Sequence, residues 1–422
     1  MSPRTRTIQI LAIWLLAGAT CLAWSTAIQN PDASLPFGVY KVTPDPRGRF
    51  ISVEADLKLG NGPCYLKDFG QLASIQWFSG GKEIFVNAKR EKDTIIFSAL
   101  PASGNVRVIY QINCVTRPIP GYRKRLLGSR GFILAREGLF IGCEGRENDL
   151  ADVRWSLPAG WRLAVGNEGL QRFADTQRTL WIAGITKHHF EQNIEGKALK
   201  IAVLDGTSDL ATQQSVEAIK AIFQYAWTSF GPLEGQAFGV AFLPNGSIGG
   251  GTALFHSMAS EEDLFTAVHE MLHWWTNIPA PAWFREGVHT YLAWKLLVKL
   301  GILDPSQLQA ALKSFLDEHE RVVRREGGRF TLAESSQNYD RRSGGGGDMY
   351  GLMPLLAYKL DREIQAFNPK AGLELVFAAA SRKRLQRLNL LALVKDVTGY
   401  DPEPLFQKYF YAKIENPSDL LK

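Results

Sequence analysis

Apolar positions follow three rhythms along this chain. From Gly38 to about Trp181 they come in short runs, mostly alternating with polar ones, as in Phe50-Ile51-Ser52-Val53, Val106-Arg107-Val108-Ile109-Tyr110 and Leu180-Trp181-Ile182-Ala183. Thr94-Ile95-Ile96-Phe97 is a further short apolar run, and turn formers such as Leu157-Pro158-Ala159-Gly160-Trp161 separate the segments. Repeated short strands with this punctuation predict a β-sandwich-like domain.

From Ala198 the rhythm changes. Leu199 to Leu204 reads as a strand. Asp209 to Ser229 has helical spacing through Val216, Ile219, Ile222, Phe223 and Trp227, and Phe238 to Leu243 is another strand. Strand, helix, strand predicts a mixed α/β unit. The glycine-rich run Asn245 to Gly251 then leads into a short edge strand over Thr252–Ser257. That run lacks the Lys-Ser/Thr ending of a phosphate loop. The third rhythm is helical and fills the rest of the chain, with helices expected near 260–276, 282–300, 305–325, 349–367, 370–381, 388–398 and 403–412. Arg329 to Asp348 is polar, ends in four glycines, and reads as a mobile loop. The fold class is therefore α+β. Its expected units are β-rich over 28–195, mixed α/β over 196–328 and helical over 329–422.

Residues 1–27 stand apart. Arg4 and Arg6 precede an uncharged apolar run from Ile8 to Trp24, followed by Ser25-Thr26-Ala27 and Pro31. That layout predicts a signal peptide for export, with retention as a membrane anchor as the alternative. Cleavage after Ala27 removes two arginines and no acids, taking the net charge from +6 to +4. So mild an excess argues for no particular partner. Arg123-Lys124-Arg125, Arg321 to Arg325 and Arg382-Lys383-Arg384 read as solvated surface, so no nucleic-acid partner is expected. Besides Cys21, the chain has Cys64, Cys114 and Cys143. Export permits one disulfide among these three, and spacing does not select the pair.

The chemistry concentrates in Ser260–Trp294. Ser260 can cap a helix, Glu261, Glu262 and Asp263 suit its positive end, and Leu264, Phe265, Val268 and Leu272 form its core stripe. On that helix lies His269-Glu270-Met271-Leu272-His273. Histidines four apart project from one face and can converge on one ion. Pro279 and Pro281 break the helix, after which Glu286 on the next helix can complete a His, His, Glu set for one Zn2+. Glu270, beside the first ligand, is the candidate general base. His188, His189, His289 and His319 read as surface or satisfied core residues, although His289, one turn after Glu286, could also support a ligand.

These residues resemble the gluzincin zinc metallopeptidases, in which a helical HExxH is followed by a glutamate ligand within W-x-x-E-G. Here the matching residues are His269, Glu270, His273, Trp283, Glu286 and Gly287. The chain is most similar to the glycyl aminopeptidase-like branch. That resemblance implies a β-rich N-terminal domain, a thermolysin-like catalytic domain, a helical C-terminal domain and peptide or protein substrates. It also implies a substrate-lining strand, matched by Gly250, Gly251 and His256, and a tyrosine that supports the oxyanion, for which Tyr350 is the candidate and Tyr339 the rival. The chain departs from the branch in three ways. The interval from His273 to Glu286 is short, Gly250–Ser257 contains no acid to hold a substrate amine, and no C-terminal PDZ domain is expected. The expected function is peptide hydrolysis in the periplasm or outside the cell. The alternative is a catalytically silent zinc-fold scaffold of the cell envelope.

Overall fold

A computed structural model describes residues 36–422 except 61, 69–70, 102–103, 115–126, 130, 137, 208–212, 234–236, 243–252, 257–260, 277–279, 327–330, 342–349 and 384–388. The N-terminal apolar run, the basic cluster at 123–125 and the Ser260 cap thus lie outside the described residues. No helix among the described residues is long and apolar enough to cross a membrane.

The first half is built of strands: β1 (Gly38–Pro44), β2 (Phe50–Leu59), β3 (Cys64–Lys67), β4 (Leu72–Ser79), β5 (Lys82–Ile84), β6 (Asn87–Glu91), β7 (Thr94–Ser98), β8 (Gly104–Asn113), β9 (Leu127–Ser129), β10 (Phe132–Arg136), β11 (Gly142–Cys143), β12 (Leu150–Trp155), β13 (Arg162–Val165), β14 (Gly169–Arg172) and, after the short helix α1 (Phe173–Arg178), β15 (Leu180–Gly184). They form a seven-stranded sheet, β14-β12-β1-β2-β8-β4-β5, and two four-stranded sheets, β13-β15-β10-β9 and β11-β3-β7-β6. The alternation in the sequence is what makes the large sheet two-faced. Ile51, Val53, Ala55 and Leu57 of β2 and Val106, Val108, Tyr110 and Ile112 of β8 all point into the core, because every second residue shares a face. Cys64 and Cys143 face each other across β3 and β11 and form a disulfide, leaving Cys114 as the free thiol among the described residues.

A second body holds the α/β unit. Its sheet runs β16 (Thr186–Ile194), β17 (Lys197–Leu204), β18 (Ala237–Phe242), β19 (Ala253–His256), with β17, β18 and β19 parallel. Helix α2 (Gln213–Phe230) covers it through Val216, Ile219, Ile222 and Phe223, which are buried against Ile201, Val203, Val240 and Phe242. The two halves meet where the Lys200 ammonium donates to the Gly166 carbonyl at 2.9 Å. Close by, Gly239 leaves room for Val165, which a Cβ there would approach to 2.6 Å.

Helix α3 (Glu261–Leu272) follows β19, and after it come α4 (His289–Lys299), α5 (Pro305–Glu326), α6 (Leu332–Arg341), α7 (Leu352–Phe367), α8 (Leu373–Lys383), α9 (Leu390–Thr398), α10 (Glu403–Tyr409) and a 3-10 turn at Pro417–Leu421. One continuous core joins the α/β sheet to these helices, from Ile201 and Val268 through Leu356 and Phe377 to Phe406.

Two expectations change. Arg329–Asp348 is not simply a loop, because α6 occupies Leu332–Arg341. Its start is a capping box: Thr331 Oγ1 accepts from Glu334 N at 3.1 Å, and Glu334 Oε2 accepts from Thr331 N at 2.8 Å. Leu332 and Ser335 are buried, so even a polar helix is anchored. The second change is that the helix expected over 282–300 begins as a π-helix, Trp283–Val288, and becomes α-helical only at His289.

Candidate metal centre

Two arms of chain meet at the site. Helix α3 brings His269, and its last turn tightens so that His273 N donates to the Glu270 carbonyl at 3.1 Å. The other arm is the π-helix carrying Glu286. Such wide turns re-aim side chains and recur at functional sites. Three contacts hold this arm. Trp283 N donates to Ser336 Oγ at 3.2 Å, which ties the π-helix to α6. The Trp283 ring packs edge-on against Phe406 of α10, with ring centroids 5.0 Å apart. Gly287 lets α7 come close: a Cβ there would lie 2.7 Å from Met353 Cβ and 2.9 Å from its carbonyl carbon.

The donors converge. His269 Nε2 is 3.3 Å from His273 Nε2 and 3.5 Å from Glu286 Oε2. Ligand atoms of all three residues lie within 4.8 Å of one another. Two zinc bonds at the tetrahedral angle separate their donor atoms by roughly 3.3 Å, so this set fits zinc. The tautomer fits as well. Thr290 Oγ1 lies 3.2 Å from His269 Nδ1, and with that nitrogen donating its proton, Nε2 presents its lone pair to the other ligands.

Charge states agree with this role. Burial, helped by neighbouring His269, holds the His273 imidazole down at about 4, so it is neutral at physiological pH. Burial by itself would raise the Glu286 carboxyl. The hydrogen bond and charge from His269, with His273 and Tyr350 adding to them, take it down to about 2. His289 is fully buried, which pushes its pKa well below the usual histidine range.

The remaining predicted residues fall as follows. Tyr350 stands just before α7 and donates to Glu286 Oε2 at 3.1 Å, although the phenol as a whole is 50% exposed. Tyr339 belongs to α6. Glu270 follows His269 on α3 and is half-buried. His256 ends β19, in register with Phe242, while Gly250 and Gly251 lie outside the described residues. Sequence reasoning missed Thr290 and Thr276. Their only signal was position, three residues after Gly287 and three residues after His273 respectively.

No family model matches the chain, and no curated protein matches it in sequence. Solved structures do match. The chain is similar to an aminopeptidase N family protein from Idiomarina loihiensis, with 15% identity and a TM-score of 0.68, over 91% of this chain and 78% of that one. It is also similar to a two-domain M1 zinc metallopeptidase mutant bound to L-arginine, with 16% identity and a TM-score of 0.52, over 90% and 94% of the respective chains. An M1 zinc metallopeptidase mutant from Deinococcus radiodurans, bound to a Tyr-Ser-Ala substrate, matches with 16% identity and a TM-score of 0.51, over 90% of this chain and 94% of that one. At these identities the likeness establishes a shared fold: several sheets, a mixed α/β centre and a helical C-terminal region.

Proposed function

We propose that the chain is a zinc-dependent peptidase that hydrolyses peptide bonds. The observation that carries this reading is the convergence of His269, His273 and Glu286 at zinc-ligand spacing, with Glu270 next to the first of them. Zinc held by these three residues supplies a Lewis-acid charge and acidifies water at neutral pH. The other steps belong to the chain. Glu270 accepts a proton from the attacking water and returns it to the leaving amine. Tyr350, open to solvent, turns its one hydroxyl hydrogen from Glu286 to the oxyanion as it forms. The resemblance to gluzincins and the shared fold with zinc metallopeptidases support the same chemistry, and the neighbour bound to Tyr-Ser-Ala supports a peptide substrate.

The parallel edge strand β19, with Gly250 and Gly251 leading into it, is the proposed peptide-lining element, and His256 stands at its end. Ala253 to His256 offers no acid to pair with a substrate amine. Peptides with free and with blocked N-termini are therefore expected to be cleaved alike. Export, by a cleaved or retained N-terminal segment, belongs to the same proposal, and the Cys64–Cys143 disulfide supports an oxidising destination.

Glu270→Gln separates an enzyme from a silent zinc-fold scaffold. Wild-type protein is expected to hold one zinc per chain and to cleave members of a peptide library, with chelator abolishing cleavage. Glu270→Gln is expected to keep the zinc and lose hydrolysis by about a thousandfold or more, since it removes the group that handles the proton in both directions. Zinc content by elemental analysis and cleavage by mass spectrometry test both halves. Wild-type protein that binds zinc yet cleaves nothing in the library would defeat the enzyme reading.

A further inference from the structure

We infer that His289 is a positioning residue that braces the two arms of the metal centre against each other and so sets its affinity for zinc. The inference rests on the zinc reading above and concerns a side chain outside the ligand set.

His269 and His273 stand on one arm, Glu286 on the other. The His289 ring spans them, and none of it reaches solvent. Its Nδ1 is 2.9 Å from the carbonyl oxygen of Phe284, two residues before Glu286. A carbonyl only accepts, so Nδ1 carries the proton. In a neutral imidazole Nε2 is then the acceptor, and its partner is the hydroxyl of Thr276, three residues after His273. A single ring therefore hydrogen-bonds both arms. Its flat face also lies on the His273 ring, with centroids 4.4 Å apart and planes inclined by 19°. Phe377 meets the His289 ring edge-on, with ring centroids 5.3 Å apart. His273 therefore meets a wall on the face turned toward His289 and is kept facing His269.

The adjacent residue acts on the other histidine, since Thr290 Oγ1 meets His269 Nδ1. Consecutive residues at the start of α4 thus each hold one histidine ligand, while the π-helix immediately before them holds the glutamate. Ligands fixed before binding lose less freedom when metal arrives, so the brace raises affinity.

The test titrates zinc into metal-free protein against a chromophoric chelator and records the visible spectrum after cobalt substitution. His289→Phe keeps a flat ring but loses both hydrogen bonds. It is expected to bind zinc about 10–100-fold more weakly, the usual cost of losing support behind a ligand. Thr276→Val, which removes the hydroxyl donor, should cost about tenfold, and Thr276→Ser should restore affinity to within about twofold of wild type. The cobalt bands should shift in His289→Phe and Thr276→Val and return in Thr276→Ser. The thermal midpoint of each metal-free protein is measured alongside. Variants that lose thermal stability but keep wild-type zinc affinity and cobalt bands overturn the inference and leave the zinc reading standing. If His289→Phe does not fold, the Thr276 pair decides by the same criterion. A wild-type protein that takes up no zinc overturns the zinc reading and the inference together.

Discussion

Tyr350 reaches Glu286 Oε2 with its hydroxyl while half of its surface stays open to solvent. A side chain used only to brace a ligand would have no need of that exposure, whereas a group that meets substrate must be reachable. The same Oε2 lies 3.5 Å from His269 Nε2, which places the phenol beside the ligand atoms. Tyr350→Phe removes one hydroxyl and no bulk. It is expected to lower kcat about a hundredfold, the order of loss seen when one oxyanion donor is removed, with little change in KM. The hydroxyl also donates to a ligand oxygen, so zinc affinity should fall by about tenfold, and kcat is read at saturating zinc. If zinc affinity falls and kcat at saturating zinc does not, the tyrosine braces Glu286 and plays no part at the oxyanion.

Among the elements, the π-helix shows most clearly what the sequence did and did not disclose. The W-x-x-E-G spacing and the histidine pair were legible, because ligand residue types at helical spacing leave few alternatives. The wide turn itself was not, since it depends on a partner 66 residues away in the chain, Met353, whose backbone crowds Gly287. The position of His289, one turn after Glu286, was legible as support for a ligand, but its partners were not, because Thr276 and Phe284 stand on two different segments. Helix α6 is a different case. Its capping box, Thr331 to Glu334, was in plain view, and the polar composition and nearby glycines masked it. The β half was legible in its alternation but not in its pairing, as the Cys64–Cys143 choice shows. Gly287→Ala follows from the close approach of α7. The added methyl has to push α7 outward or widen the π-helix further, an overpacking cost of about 1–3 kcal/mol. We expect a lower thermal midpoint together with weaker zinc binding, because Glu286 sits one residue before the displaced backbone. Calorimetry with and without zinc checks both effects.

At the scale of the whole molecule, the centre depends on α4, α7 and α8 staying in register, and a buried charge network ties the three together. Asp361 of α7 is 1% exposed and accepts from the Tyr291 hydroxyl at 2.6 Å, from Lys295 Nζ at 2.8 Å and from Leu373 N at 2.7 Å. Lys295 also donates to Glu374 of α8. Burial by itself would raise the Glu374 carboxyl. Lys295, by charge and hydrogen bond, together with a backbone hydrogen bond and the charge of Lys299, lowers it on balance. A carboxylate whose pKa is lower folded than unfolded binds fewer protons in the native state, so the unfolded chain is favoured as acid is added. Its contribution is complete above the ordinary glutamate value of about 4.3 and disappears as pH falls through the depressed folded value. Glu374→Gln is therefore expected to cost about 1–3 kcal/mol at pH 7, within the range for a charge-assisted hydrogen bond, since Lys295 keeps Asp361 as a partner. The gap between mutant and wild type should narrow as pH drops below 4, where the wild-type carboxyl also becomes neutral. Urea unfolding of the metal-free proteins at pH 7, 5, 4 and 3 measures that convergence, and using metal-free protein keeps proton competition at the histidines' metal out of the comparison. A gap that stays constant across the series would mean that Glu374 stabilises the helices by packing, and that its charge contributes nothing to their register.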